Sequence, residues 1–191
     1  MIAYEKNVLI FLVALWVLSE IIGAQIIPRL RQKGRVKSRG DRGSLFLVWL
    51  GLYSSIFLTI YLSEHDIGTL PTFFFYVGIV LMLCGVGFRQ WAIWVLGGFF
   101  SIRVRIVSGH RIVEEGPYRV LRHPSYTGML MTMVGFGLLL RTLLGVIATV
   151  ALFAVVMGYR MNVEENLLKA EFGEEYRDYE KRTRRLIPFI Y

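Results

Sequence analysis

Long apolar runs separated by short basic stretches dominate the chain. A membrane-spanning helix needs about 20 mostly apolar residues. Val8 to Ile27 is such a run, interrupted only by Glu20 and Gln25, and Ser44 to Ser63 is a second with no charge. Pro71 to Phe88 is a third, which continues past Arg89 and Gln90 into Trp91 to Phe100. As one helix this stretch would be about 45 Å long, beyond a hydrocarbon layer of about 30 Å. It therefore either tilts out into the cytoplasm or breaks near Gly97-Gly98. Tyr126 to Leu140 and Thr142 to Tyr159 form a pair separated by Arg141. Each member is about 22 to 27 Å long, a thin hairpin or one that stops short of full depth. The pattern predicts an all-α, polytopic membrane protein, a single domain over 1–191. Its five transmembrane helices fall near 8–27, 44–63, 71–100, 125–140 and 142–160, with a cytoplasmic loop at 101–124. An apolar stripe at helical spacing, Leu168, Phe172, Tyr176 and Tyr179, predicts a further cytoplasmic helix over 160–185 that lies on the membrane or packs over the core.

Composition agrees with the pattern. Of 191 residues, 55% are hydrophobic and 19% charged, with a mean hydropathy of +0.53, whereas soluble domains carry about 45–50% apolar and about 25% charged residues. Disorder and collagen-like repeats are excluded, and the lone Cys84 excludes a disulfide scaffold. A net charge of +8 in a soluble protein would point to nucleic acid, but the distribution of the charge points to a membrane surface and away from nucleic acid. Pro28 to Gly43 carries seven Lys or Arg (Arg29, Arg31, Lys33, Arg35, Lys37, Arg39, Arg42), Ser101 to Pro124 five, and Arg160 to Tyr191 seven. The loop Ser63 to Pro71 has none and the hairpin tip only Arg141. The positive-inside bias places the N-terminus outside and the C-terminus in the cytoplasm. The first run lacks a small-residue cleavage site and leads directly into a basic loop, so it reads as a retained anchor.

Several chemistries have no motif here. GxxxxGK[ST], HExxH, CxxC and a GxGxxG after a strand are absent, and no metal site is expected. Gly85-Val86-Gly87 and Gly135-Phe136-Gly137 lie in apolar helices, where small residues allow close helix packing. Glu20 reads as a packing or interfacial partner and Arg89 as an arginine snorkelling to the interface. The dense region is Gly109 to Gly128, GHRIVEEGPYRVLRHPSYTG. Its prolines enforce bends and extended backbone, and the polar backbone groups so exposed need partners in water or in a ligand. His110 and His123 can hydrogen-bond a polar ligand, while Tyr118 and Tyr126 offer faces to a cation or an adenine ring. An ordinary interfacial loop, with Arg119 and Arg122 on lipid phosphates, accounts for the same composition. Beyond it, Arg160 and Glu164 are four apart and share one face of the last helix, which by itself describes a surface ion pair.

The block GPYxxxRHPSYxG (Gly116 to Gly128), the RxxxEE that starts at Arg160, and FGEEYxxYxxR (Phe172 to Arg182) together resemble the isoprenylcysteine carboxyl methyltransferases. The likeness covers His110 to Gly128 and Arg160 to Pro188; the first three helices match in hydropathy only. These are membrane enzymes that use S-adenosylmethionine and release S-adenosylhomocysteine. The resemblance implies that His110, Arg111, Ile112, Val113, Tyr118, His123, Pro124, Ser125 and Tyr126 line the cofactor. Glu164 would also touch the cofactor, Arg160 would sit at the substrate carboxylate, and the C-terminal helix would complete the active site. Arg160 and Glu164 are the implied catalytic residues. Eukaryotic members carry eight helices against five here, and where the family often has glutamine, seven residues before His110, this chain has Arg103.

The implied reaction is methyl esterification of the C-terminal carboxylate of a farnesylated or geranylgeranylated cysteine whose lipid tail arrives from the bilayer. A carboxylate is ionised at pH 7, so no general base is needed, and Arg160 can offer it a two-pronged charge-assisted pair. A phosphatidylethanolamine-type N-methyltransferase would use the same cofactor block with a base such as Glu164 or His123, although Arg160 would repel an ammonium. A non-enzymatic membrane scaffold or transporter is the remaining reading; the polar cluster at one face and the lack of intramembrane charge pairs count against a transporter. The plasma membrane of a prokaryote and the endoplasmic reticulum of a eukaryote both suit the chain.

Overall fold

A computed structural model describes residues 3–31 and 34–187. Lys33 of the basic loop and Pro188 of the terminal motif lie outside the described residues. The first apolar run is helical throughout: α1 (Ala3–Ser19) passes through a π-helical segment (Glu20–Ile26) into α2 (Ile27–Arg31). A short strand β1 (Val36–Arg39) follows, then α3 (Ser44–Glu64) and α4 (Phe73–Leu96). After β2 (Arg105–Val107) come α5 (Pro124–Leu139), α6 (Leu143–Phe172) and α7 (Glu174–Arg182).

Among the described residues, four helical stretches are long and apolar enough to cross a membrane: Ala3–Arg31, Ser44–Glu64, Phe73–Phe99 and Leu143–Phe172. The fifth expected span, α5, has 16 residues, about 24 Å of helix, and falls below that length. Large apolar side chains such as Phe11, Phe57, Val80 and Val155 are exposed, as expected where lipid rather than water is the outer solvent.

Packing between the helices is by small and polar residues more than by large ones. α4 and α5 make the most extensive contact, and glycines allow it. A Cβ on Gly85 would sit 2.5 Å from the Thr132 backbone nitrogen, and one on Gly128 would sit 2.7 Å from that of Arg89. With no hydrophobic effect to drive helices together in lipid, such close backbone approach supplies the dispersion contact instead. α3 and α6 are joined by hydroxyls, Ser55 to Thr149 at 2.8 Å and Thr59 to the Gly145 carbonyl at 3.5 Å. Leu12 and Trp16 of α1 close the core against Phe75, Met82, Met133 and Leu139.

The long third run takes the second of its two expected courses: helix ends at Leu96, Gly97 takes a φ of 58° and a 3₁₀ turn follows over Gly97–Phe99. Three expectations need correction. The fold is not purely α, because β1 and β2 pair antiparallel, with Val36 opposite Val107 and Arg39 opposite Arg105. The helix expected over 160–185 is two: α6 runs unbroken to Phe172, Gly173 turns the chain at φ 55°, and α7 starts at Glu174. Arg89 does not snorkel. It is 8% exposed and gripped by both oxygens of Glu20, Nε to Oε1 at 2.5 Å and Nη2 to Oε2 at 2.9 Å, while Nη1 donates to the Ser125 carbonyl. A charge pair therefore joins two apolar segments, contrary to the expected lack of such pairs that counted against a transporter.

The α4–α5 contact predicts a sharp contrast between neighbouring glycines. Gly85→Leu would cost about 2 kcal/mol through overpacking against backbone, seen as a lowered thermal midpoint in detergent. Gly87→Leu, with nothing within 4 Å of its Cβ, leaves that midpoint in place.

Candidate functional site

The two prolines of the dense region build the site locally. Gly116–Arg119 forms a 3₁₀ turn with Pro117 at its start, and His123 leaves helical geometry (φ −125°, ψ 55°) because Pro124 follows it. Pro124 then opens α5, where its missing N–H costs nothing. The C-terminal segment clasps this turn as a short parallel pairing. The Arg122 and His123 N–H groups donate to the Arg184 and Arg185 carbonyls at 2.7 and 3.1 Å, and the Arg184 N–H donates to the Val120 carbonyl at 2.9 Å. Tyr179 on α7 donates to the Tyr118 carbonyl at 2.8 Å. Burial holds the Tyr118 and Tyr179 phenols above their ordinary range, so both stay protonated donors.

Below this clasp lies Glu165, 1% exposed. It accepts from Arg122 Nε at 3.0 Å, His123 Nε2 at 3.2 Å and Arg185 Nη2 at 2.7 Å. A buried carboxylate is tolerable only when so paired. Its bond to Nε2 leaves Nδ1 of His123 turned toward Glu164, 3.8 Å away. The His123 ring stacks on Tyr126 at 5.3 Å and 7°.

Arg160 is the second hub, 3% exposed. Its Nε donates to the Tyr126 hydroxyl at 3.1 Å, and that hydroxyl donates to Glu164 Oε2 at 2.8 Å. Nη1 reaches Asp41 Oδ1 at 3.1 Å and Ser44 Oγ at 2.8 Å, and Nη2 donates to the Ile102 carbonyl. Arg160 and Glu164 thus communicate through Tyr126 rather than as a direct pair. Four of the five N–H groups of Arg160 are engaged, so a two-pronged grip on a ligand would require one of these bonds to break. Asp41 is itself anchored. Burial would raise its carboxyl pKa, but hydrogen bonds from the Leu45 N–H, Arg160 and the Val104 N–H outweigh that and hold it below the ordinary carboxylate value.

These elements enclose a cavity of about 420 Å³, within the range of small-molecule sites. His110, Arg111, Ile112, Val113, Tyr118, His123, Ser125, Tyr126, Arg160 and Glu164 all line it. Pro124 is fully buried and supports the wall without reaching the cavity. Toward the membrane the lining becomes apolar, with Val13, Trp16 and Val17 of α1 facing Trp49, Leu52 and Ile56 of α3. His110 lies between the rings of Phe99 (4.8 Å, stacked) and Phe172 (5.7 Å, edge-on), and its buried Nδ1 has no hydrogen-bond partner among the described residues. Burial pushes its pKa below the ordinary imidazole value against the pull of Glu164 and Glu171, so the ring is neutral at pH 7.

Asp41, Ser44, Glu165, Arg185 and the Glu20–Arg89 pair escaped the sequence reading. Asp41 had a signal: an aspartate just before the apolar run of α3 is a helix-start residue, and its carboxylate accepts from the Leu45 N–H at 3.3 Å while its backbone carbonyl accepts from the Ser44 N–H at 2.7 Å.

A helical bundle with apolar spans and an exposed apolar surface defines an integral membrane protein, and its cavity carries polar groups at one end. Residues 77–170 match the family model described as the isoprenylcysteine carboxyl methyltransferase (ICMT) family. A probable protein-S-isoprenylcysteine O-methyltransferase of Oryza sativa subsp. indica is 32% identical over 117 residues, 60% of this chain and 61% of that protein. Protein-S-isoprenylcysteine O-methyltransferase B of Arabidopsis thaliana is 35% identical over 119 residues, 59% and 58% of the two chains. A solved structure of the eukaryotic intramembrane Ras methyltransferase ICMT superposes with a TM-score of 0.62 at 25% identity, covering 75% of this chain and 52% of that one. The matches thus span only about three-fifths of the plant relatives' length.

Two outcomes follow from the hubs. Glu165→Ala removes the carboxylate shared by Arg122, His123 and Arg185 and should cost about 3–5 kcal/mol, the price of breaking a buried pair, read as a lowered unfolding midpoint. His110 has its pKa depressed in the fold, so its contribution to stability is present above about 6.5 and is lost as pH falls through the depressed value. His110→Asn should flatten the acid side of the stability profile measured between pH 7 and 5.

Proposed function

We propose that the chain is an S-adenosylmethionine-dependent methyltransferase that esterifies the carboxylate of a prenylated cysteine at the cytoplasmic boundary of the membrane. The observation that carries this reading is the two-ended cavity: polar groups around His123, Tyr126, Arg160 and Glu164 at one end, and an apolar slot between α1 and α3 at the other. The family match supports it. In this reading α5 serves as a fifth, short span, the N-terminus lies outside, and the basic loops face the cytoplasm.

The residues present fit the donor. A neutral His110 with an unanswered Nδ1, the faces of Tyr118 and Tyr126, and the half-exposed carboxylate of Glu164 offer a hydrogen-bonding group, aromatic walls for a cation or purine, and an anion for an ammonium or ribose hydroxyl. When bound, S-adenosylmethionine supplies a methyl group on a sulfonium.

The work of the protein is positioning and exclusion of water. The acceptor carboxylate is already ionised at neutral pH, so no side chain has to take its proton. The remaining N–H of Arg160 orients that carboxylate, while Asp41 keeps the guanidinium fixed and its buried charge balanced. Tyr126 couples the acceptor end to Glu164 and, by stacking on His123, to the Glu165 hub. The prenyl chain takes the slot between α1 and α3, where each buried methylene contributes about 0.8 kcal/mol.

One observation favours the amine-methylating alternative: Asp41 neutralises Arg160, so an ammonium headgroup is repelled less than the sequence implies, and Glu164 is placed to take its proton. Labelled methyl transfer from S-adenosylmethionine, offered in parallel to a farnesylated cysteine and to phosphatidylethanolamine, separates the two. Base-labile label on the cysteine is expected; label on the lipid amine would reverse the assignment. Arg160→Ala should lower kcat/KM for the acceptor by about 100-fold, whereas His123→Ala and Tyr126→Ala should weaken cofactor binding measured by calorimetry.

A further inference from the structure

The cations around the cavity are not equivalent. Arg89, Arg111, Arg122 and Arg160 each line it, and each has a carboxylate of this chain within 3.3 Å: Glu20, Glu115, Glu165 and Asp41. Arg103 lines the same cavity, is exposed, and its guanidinium has no ion-pair or hydrogen-bond partner among the described residues.

The backbone that carries Arg103 is nevertheless fixed. The preceding Ile102 carbonyl accepts from Arg160 Nη2, the Arg103 N–H donates to Ser101 Oγ at 3.2 Å, and the following Val104 N–H donates to Asp41 Oδ1 at 3.4 Å. An unpaired guanidinium thus hangs from a segment locked to Arg160 on one side and to the counter-ion of Arg160 on the other. Arg160 has one N–H left to give, and its charge is already balanced by Asp41. A carboxylate entering the cavity would find one donor there, too little for a stable charge-assisted grip. Arg103 brings a whole uncompensated charge and five N–H groups.

We infer that Arg103 is a ligand-binding residue that, beside the free N–H of Arg160, receives the carboxylate of a bound ligand. This rests on the methyl-transfer reading above, under which two carboxylates enter the cavity: that of the acceptor cysteine and that of the amino-acid portion of the methyl donor. The chemistry recognised is the same for both, and binding measurements tell them apart.

The experiment uses the full chain in detergent, with Arg103→Gln and Arg103→Lys beside the wild type. Dissociation constants are measured by calorimetry for S-adenosylhomocysteine and for methylthioadenosine, which lacks the amino-acid carboxylate. The same is done for N-acetyl-S-farnesylcysteine and its carboxamide. Arg103→Gln should weaken one carboxylate-bearing ligand by about 10-fold and leave its carboxylate-free counterpart unchanged, with Arg103→Lys recovering part of the loss. Loss confined to the farnesylcysteine assigns Arg103 to the acceptor; loss confined to S-adenosylhomocysteine assigns it to the donor. Unchanged affinity for both, or equal loss with the carboxylate-free ligands, overturns the inference while leaving the methyl-transfer reading intact. A wild type that binds neither S-adenosylhomocysteine nor the farnesylcysteine overturns the reading and the inference together.

Discussion

A guanidinium buried at the edge of an apolar layer must have its N–H groups answered inside the protein, and the way Arg160 is answered organises the structure around it. Asp41 and Ser44 come from the start of α3, the Ile102 carbonyl from the connection after α4, and Tyr126 from α5. Three chain segments that are remote in sequence are thereby brought to one point on α6. Removing water from a charge is costly enough that this convergence is close to obligatory once Arg160 is placed there. The helix bundle could be assembled from apolar and small-residue contacts alone; its polar end could not.

Glu165 plays the complementary part with the opposite charge. It gathers Arg122, His123 and Arg185, and the main-chain pairing of 120–123 with 184–185 reinforces that gathering. The two hubs sit five positions apart on one helix and touch the same aromatic pair, with His123 bonded to Glu165 and Tyr126 bonded to Arg160. The stacked His123–Tyr126 rings therefore link a structural anchor to the cavity wall. The orientation of the wall depends on the C-terminal segment even though that segment follows the last long helix.

The long helices were legible because hydropathy over about 20 residues is a strong signal in a chain that lipid surrounds. The polar cluster was legible for a different reason, since GPYxxxRHPSYxG and RxxxEE are recognisable together, and the cavity does bring His110, Tyr118, His123, Tyr126, Arg160 and Glu164 to its wall. Partners remote in sequence were not legible. Asp41 lies 119 positions from Arg160, and Glu20 lies 69 from Arg89; nothing in the spacing of either chooses a partner. In the Glu164-Glu165 pair, consecutive residues on a helix point about 100° apart, and composition does not say which faces the cavity and which faces the C-terminal clasp. The break at Gly173 was within reach, because a glycine after an apolar helical stretch is a common helix stop, yet the apolar stripe that runs across it favours a continuous helix.

The unbroken course of α6 makes it a spacer of fixed length. Thr149, bonded to α3 deep in the bundle, and Glu164, at the cavity, are joined by helix with no hinge, a separation of about 22 Å along its axis. No loop lies between the two to absorb a change in bilayer thickness. A thicker or thinner membrane must be met by tilting of the whole bundle or by deformation of the lipid around it. The separation of the polar cavity from the middle of the bundle is thus a property of the fold, and the surrounding lipid has to adjust to it.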